Sequence, residues 1–319
     1  MVLIIRMRIV SLLPSATEIL YALGLGDSVV GVTHECDFPP AAAKKPPLIR
    51  PRVDPHAAPA EIDRQVSELV QRGESIYAVD AERLAWLAPD LIVTQDLCHV
   101  CAASPDDLAT ALTRLPKQPR VLTLTPRSLD DVWQDIIRVG DATGTGREAE
   151  ALAGQLKAKV RRVESAVKPA SWRPRVVCLE WLDPFYVGGH WVPEMVSKAG
   201  GDDVLGRAGQ PSFKVSASLI AESEADLILV MLCGYDAARN AAEFRQIKLP
   251  QSGVKLPALG EGRIFAVDAN GYFSRPGPRL ADGLQLLAHL IHPELCDCEL
   301  PGNVHEKLGA RAAWSGATS

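Results

Sequence analysis

The sequence predicts an α/β protein made of two Rossmann-like lobes with mainly parallel sheets, joined by one long interlobe helix. Three observations carry that expectation. Short apolar runs alternate with segments of helical period through both halves of the chain. One unbroken helix-period segment, Gly146–Lys168, stands between the halves. The length of 319 residues also exceeds what a single hydrophobic core fills.

In chain order, Arg8–Leu12, Val29–Val32, Leu91–Thr94 and Val121–Leu124 read as buried strands, brief, branched and bounded by turn residues. Between them Ala16–Leu23, Glu61–Gln71 and Asp106–Leu115 read as helices. Ile62, Val66, Leu69 and Val70 share one helical face in the second of these. The proline-rich stretch Pro39–Pro59 is expected to be irregular, wrapping the surface or rimming a site. In the second half, Val176–Leu179, Leu227–Leu232 and Ile264–Val267 read as strands, with helices at Pro193–Ala199, Ser218–Ser223 and Leu280–Ile291. The segments LAWLAPDLIVTQDLC (84–98) and LIAESEADLILVMLC (219–233) echo each other as helix, acidic turn, strand and cysteine, which suggests duplication. The expected organisation is a first lobe at 1–140, the interlobe helix at 141–170, a second lobe at 171–295 and a tail at 296–319.

Composition excludes several classes. With 47% hydrophobic and 23% charged residues the chain is not disordered, collagenous or a coiled coil. A net charge of −5 argues against nucleic acid as a partner. No run of apolar residues is long enough to predict membrane insertion. The opening Met1–Arg8 lacks the features of a secretory signal, so the chain is expected to be cytoplasmic, its thiols reduced, with Met7 an alternative start. Neither a nucleophile elbow nor a P-loop, dinucleotide fingerprint or paired-histidine zinc motif is present, so no ordinary enzyme class is indicated.

Ligands of open α/β sheets bind beyond the carboxyl ends of the strands. The predicted exits carry Ser15, His34, Glu35, Cys36, Phe38 and the run Cys98-His99-Val100-Cys101 in the first half. In the second they carry Trp181, Asp183, Cys233, Tyr235, Tyr272 and Phe273, with Trp191 nearby. Aromatic residues are only 5% of the chain, so their gathering at exits points to a flat ligand, with core packing the rival reading for each. Cys36, Cys98 and Cys101 would suit zinc with an open position or an iron–sulfur cluster with one iron free, with His34 or His99 as a further ligand. The alternative is a set of loop thiols with no ligand. Cys178 reads as core, and Cys296 and Cys298, after His292 and before His305, as exposed tail residues that would otherwise suit a metal.

The segment RIVSLLPSATEILYALGLGDSVVGVTHECDFPP, the unit AERLAWLAPDLIVTQ, the long interlobe helix and the closing DANGYFSRPGPRLADGLQLLAHLIHPE resemble the helical-backbone (class III) substrate-binding proteins. These are ABC-importer receptors for vitamin B12, siderophores and haem. The likeness runs from Arg8 to about Pro293 and is strongest toward the vitamin B12 branch. It implies two lobes bridged by one helix, with a shallow ligand cleft between them. It further implies a corrinoid held by Trp181, Tyr235 and Tyr272, with Ser15 and the His34–Phe38 loop on the opposite wall. Receptors of this kind dock on a permease through one glutamate per lobe. Glu82 stands at the first position but Ser218 at the second, with Glu222 and Glu224 nearby, so the docking pair is incomplete. The cysteine set departs from the typical B12 receptor and resembles a cytosolic sub-branch. The expected function is a non-enzymatic binding protein for cobalamin, another corrinoid or a related metal chelate. Two alternatives stand beside it. One is a zinc or iron–sulfur protein with a redox, sensing or catalytic role. The other is a conventional importer receptor with an export signal encoded upstream of Met1.

Overall fold

A computed structural model describes residues 6–95, 105–113, 115–247, 256–297 and 302–309. It divides into two compact units, Met1–Pro126 with Asp130–Gln155, and Arg127–Leu129 with Leu156–Ser319.

The first unit opens with β1 (Ile9–Ser11), α1 (Pro14–Ala22), β2 (Val29–Gly31), a single 3-10 turn (Ala42–Lys44) and β3 (Ile49–Pro51). It continues through α2 (Pro59–Gln71), β4 (Tyr77–Val79), α3 (Ala81–Leu87), β5 (Leu91–Gln95), α4 (Pro105–Leu112), β6 (Arg120–Leu124) and α5 (Leu129–Thr143). Four strands form a parallel sheet in the order β2-β1-β5-β6, with Val10 level with Ile92 and Val93 level with Leu122. Val10 and Ile92 are buried among Leu12, Leu48, Leu84, Leu87 and Leu108. Each such side chain contributes roughly 1.5–3 kcal/mol on leaving water. The proline-rich stretch is more ordered than expected. Its β3 pairs antiparallel with β4, Ile49 level with Val79, because a two-stranded ribbon leaves Pro51 at an edge where its missing N–H costs nothing.

The helix α6 (Gly146–Val167) passes through the division between the units, at Gln155 and Leu156. The second unit then holds β7 (Arg175–Leu182), β8 (Phe185–Val187), α7 (Val192–Lys198), β9 (Asp202–Asp203), β10 (Phe213–Lys214), α8 (Ala217–Glu222) and β11 (Leu227–Val230). It closes with α9 (Ala237–Gln246), α10 (Pro257–Gly260), β12 (Ile264–Val267), α11 (Ala269–Tyr272), α12 (Leu280–Ile291) and β13 (His305–Leu308). The sheet runs β10-β8-β7-β11-β12-β13, with β9 also on β7; β7, β11 and β12 are parallel. Where a polar tail was expected, β13 adds an antiparallel edge strand, Leu308 level with Ile264 and buried against it. Among the described residues no helix is long and apolar enough to cross a membrane.

Candidate functional site

The chemistry-bearing residues of the second unit gather where its parallel strands end. Past β11 the chain runs through Cys233 and Gly234 to Tyr235; Gly234 takes φ +81°, a conformation that disfavours any side chain, so the turn itself aims Tyr235. Asp236 then caps α9 by accepting from the Arg239 amide at 2.7 Å. One helical turn along, the Arg239 guanidinium lies 3.6 Å over the Tyr235 ring and donates to its hydroxyl at 2.8 Å. Trp181, from the end of β7, meets the same ring edge-on at 5.7 Å. Burial pushes the Tyr235 phenol up to about 12 despite the opposing Arg239 charge, so it remains a protonated hydroxyl at neutral pH.

Asn240 holds this arrangement together and has no local sequence signature. Fully buried on α9, it accepts from the Leu232 amide at 2.9 Å and donates to the carbonyls of Val267 at 2.8 Å and Tyr235 at 3.4 Å. One side chain thus joins the exits of β11 and β12. The Asn270 amide, donating to the Tyr235 carbonyl at 3.1 Å, adds a second tie. Beyond β12, Tyr272 is half-buried with the Arg279 guanidinium 5.7 Å from its ring. Trp191 and Phe273 lie deeper, at 4% and 2% exposure, the Trp191 indole donating to the Phe273 carbonyl at 2.8 Å. Gly283 on α12 admits this loop, since a Cβ there would stand 2.1 Å from the Tyr272 carbonyl oxygen. Asp183 is exposed in the turn after β7.

Beside Trp181, the Glu180 carboxyl is enclosed, accepting from the Gly189 amide at 3.2 Å and the Ser212 hydroxyl. Burial lifts it to about 7 against those two hydrogen bonds, with Asp203 adding repulsion. Asp203, lifted by burial to about 6, accepts from the amides of Leu205 at 3.2 Å and Gly206 at 2.7 Å through Oδ1, while its buried Oδ2 has no partner. Cys178 is wholly buried, as expected of a core residue, and burial pushes its thiol up.

In the first unit the exits of β1 and β2 are joined by small hydroxyls and one thiol. Ser11 Oγ donates to the Leu13 carbonyl at 3.0 Å, and Thr17 Oγ1 donates to Ser11 Oγ at 2.8 Å. Thr17 Oγ1 also lies 3.3 Å from the Leu13 carbonyl and 3.0 Å from Cys36 Sγ. Thr33 Oγ1 stands 3.3 Å from the same sulfur, and Cys36 is 3% exposed. Cys36 is thus buried between two threonine hydroxyls. Ser15 is buried in the first turn of α1. His34 Nδ1 donates to the Ile49 carbonyl at 3.1 Å and its ring packs against Tyr77 at 5.8 Å, so β3 and β4 position it. Glu35 lies beside it, with the Tyr77 hydroxyl at 3.4 Å, and Phe38 is 43% exposed.

Cys98, His99 and Cys101 lie outside the described residues. Among those that are described, no group of three His, Cys, Asp or Glu is placed to hold a metal, and nothing supports the zinc or iron–sulfur reading. On α3, Glu82 is exposed one helical turn from Trp86, itself 77% exposed. Ser218, at the matching place on α8, is bonded to Ser216 Oγ at 2.7 Å.

Two parallel-sheet α/β units, one long helix running through their division, and side chains gathered at the strand exits define a substrate-binding-protein fold. The chain belongs to the periplasmic binding protein family, whose model matches residues 9–270. It is 26% identical to the ABC transporter substrate-binding lipoprotein YvrC of Bacillus subtilis over 90% of this chain and 80% of that one. It is 24% identical to a cobalamin-binding protein of Halobacterium salinarum over 89% of this chain and 69% of that one. Among solved structures, the periplasmic heme-binding protein RhuT from Roseiflexus sp. RS-1 matches with a TM-score of 0.67 and 26% identity, covering 90% of this chain and 98% of that one. The cytoplasmic expectation is thereby corrected, since these relatives are a lipoprotein and a periplasmic protein by name. A cellular address is written in a detachable leader and leaves no mark on the folded units from which packing and thiol content are read.

Proposed function

We propose that this protein is the substrate-binding component of an ABC importer, a receptor and not an enzyme, with a metal-centred tetrapyrrole as its ligand. Cobalamin or another corrinoid is the first reading. Haem is the second, favoured by the likeness to a heme-binding protein. The observation that carries the proposal is the set of Trp181, Tyr235 and Arg239 at the strand exits of the second unit. The half-buried Trp181 ring offers an apolar surface to a flat macrocycle, and Tyr235, 4% exposed and covered by Arg239, braces it from within the unit. The guanidinium locked against Tyr235 offers N–H donors to the acidic or amide groups at the macrocycle's edge. Tyr272, Trp191, Phe273 and Asp183 border this set on neighbouring loops. Ser15, His34, Glu35 and Phe38 are the contributions proposed from the first unit, with Glu82 as its permease-docking residue.

The test is a titration of the purified chain with cyanocobalamin and, separately, with hemin, followed by visible absorption. A saturable shift at one equivalent is expected for one of the two. Tyr235→Ala should weaken that ligand at least tenfold, about 1.4 kcal/mol. Unchanged spectra with both ligands would sink the proposal.

A further inference from the structure

Two histidines outside the strand exits are brought together in the second unit. The edge strand β13 lays His305 beside His289 of α12, with ring centres 6.3 Å apart and planes at 61°. His289 Nδ1 is 2.8 Å from the Cys296 carbonyl oxygen. A carbonyl only accepts, so Nδ1 carries the proton and Nε2 of the neutral ring keeps its lone pair. A backbone carbonyl commonly orients a metal-binding imidazole in this way. The ring nitrogens of His305 have no hydrogen-bond partner among the described residues. His292 shows the contrast, its two nitrogens being taken up by the Gly200 carbonyl at 3.1 Å and Glu294 at 3.3 Å.

We propose that His289 and His305 form a two-imidazole site for a divalent transition ion, Cu2+ before Ni2+ and Zn2+, with water completing the coordination. Metal–nitrogen bonds of about 2.0–2.1 Å, added to the ring radius, put two imidazoles on one ion with centres roughly 5–6.5 Å apart. The observed 6.3 Å lies at the upper end of that range, where the two nitrogens stand nearly opposite each other on the ion, as square-planar copper allows. Imidazole pairs favour these ions, with copper bound most tightly. The charged groups on β13 set a limit on affinity. Lys307 lies over Phe265, whose ring also faces His305, and Glu306 is engaged by Arg245. Among the described residues no third ligand joins the pair, so water would complete the coordination and the site is not a closed structural one.

The test is titration of the ligand-free, chelator-stripped full chain with CuCl2, followed by calorimetry and electron paramagnetic resonance. One equivalent should bind with hyperfine splitting from two imidazole nitrogens, and His289→Gln or His305→Gln should each weaken it at least tenfold. Carbethoxylation of the unaltered chain, read by mass spectrometry, supplies a measurement independent of variant folding: Cu2+ should protect both histidines together. A two-nitrogen signal that survives the double substitution, or labelling of both residues unaffected by Cu2+, would overturn the assignment. The experiment contains no tetrapyrrole, so its failure and failure of the cobalamin and hemin titrations are separate results.

Discussion

The strand-exit regions of the two units bury polar atoms by opposite means. In the first, the Ser11, Thr17 and Thr33 hydroxyls and the Cys36 thiol are linked by close contacts. In the second, Glu180 and Asp203 are acids taken out of water, with one Asp203 oxygen left unpartnered. Neutral networks cost little to bury once each proton has an acceptor. Buried acids favour their protonated form, which makes that part of the fold sensitive to pH. The lesson is that similar topology leaves the chemistry beneath the exits open. Beneath the exits of the first unit lie hydroxyls and a thiol, and beneath those of the second lie two carboxyls that burial holds toward their protonated form.

The most damaging break should come at Asn240. Asn240→Leu strands the Leu232 amide and the Val267 carbonyl in the core, and should cost about 3 kcal/mol, read as a lowered urea midpoint. Thr17 ties the β1 and β2 exits through one hydroxyl and strands no backbone group when removed, so Thr17→Val should cost less.

The comparison is sharpened by pH. Glu180 ionises near 4.3 when unfolded and near 7 when folded, so between those values the native state binds more protons. Stability therefore falls as pH rises through that window, and the loss is complete above it. The wild-type chain should lose on the order of 1–2 kcal/mol from this group between roughly pH 4.5 and 8, after discounting for partial exposure. Glu180→Gln keeps an acceptor for Gly189 and should flatten the curve, gaining stability at the alkaline end. Parallel curves for the two proteins would remove the distinction between the units.

The smallest effect belongs to Cys36. Serine preserves a hydrogen-bonding group beside Thr17 and Thr33, so Cys36→Ser should change stability by less than about 1 kcal/mol. Cys36→Val removes that group and should cost more, roughly 1–2 kcal/mol. Urea midpoints of the two variants check both. A Cys36→Ser chain that loses much more would show that the sulfur does something a hydroxyl cannot.

Much of the fold was legible because its signals are local. The apolar runs at Leu91–Gln95 and Ile264–Val267 became strands, and the periodic run from Gly146 became α6. The pair β3 and β4 was not legible, since three residues each and a proline carry no periodicity. The helices α5 and α9 also went unread; in α9 the apolar stripe is thin, Ala237, Ala241 and Phe244 doing the packing. Trp181 and Tyr235 stood out because aromatics are rare here and follow strands, and the structure packs the two rings together. Asn240 and the Glu180–Asp203 pair were missed, the latter because two carboxyls 23 positions apart meet only once β7 and its neighbours are packed.

The sequence by itself therefore determined the α/β class, the long helix and the loops that leave the strands, because periodicity, turn residues and caps act within a few positions of chain. Only the tertiary structure decided which polar groups are neutral and which are poised to titrate, and that His289 and His305 are neighbours. Burial and proximity are properties of packed space, and no short stretch of sequence contains them.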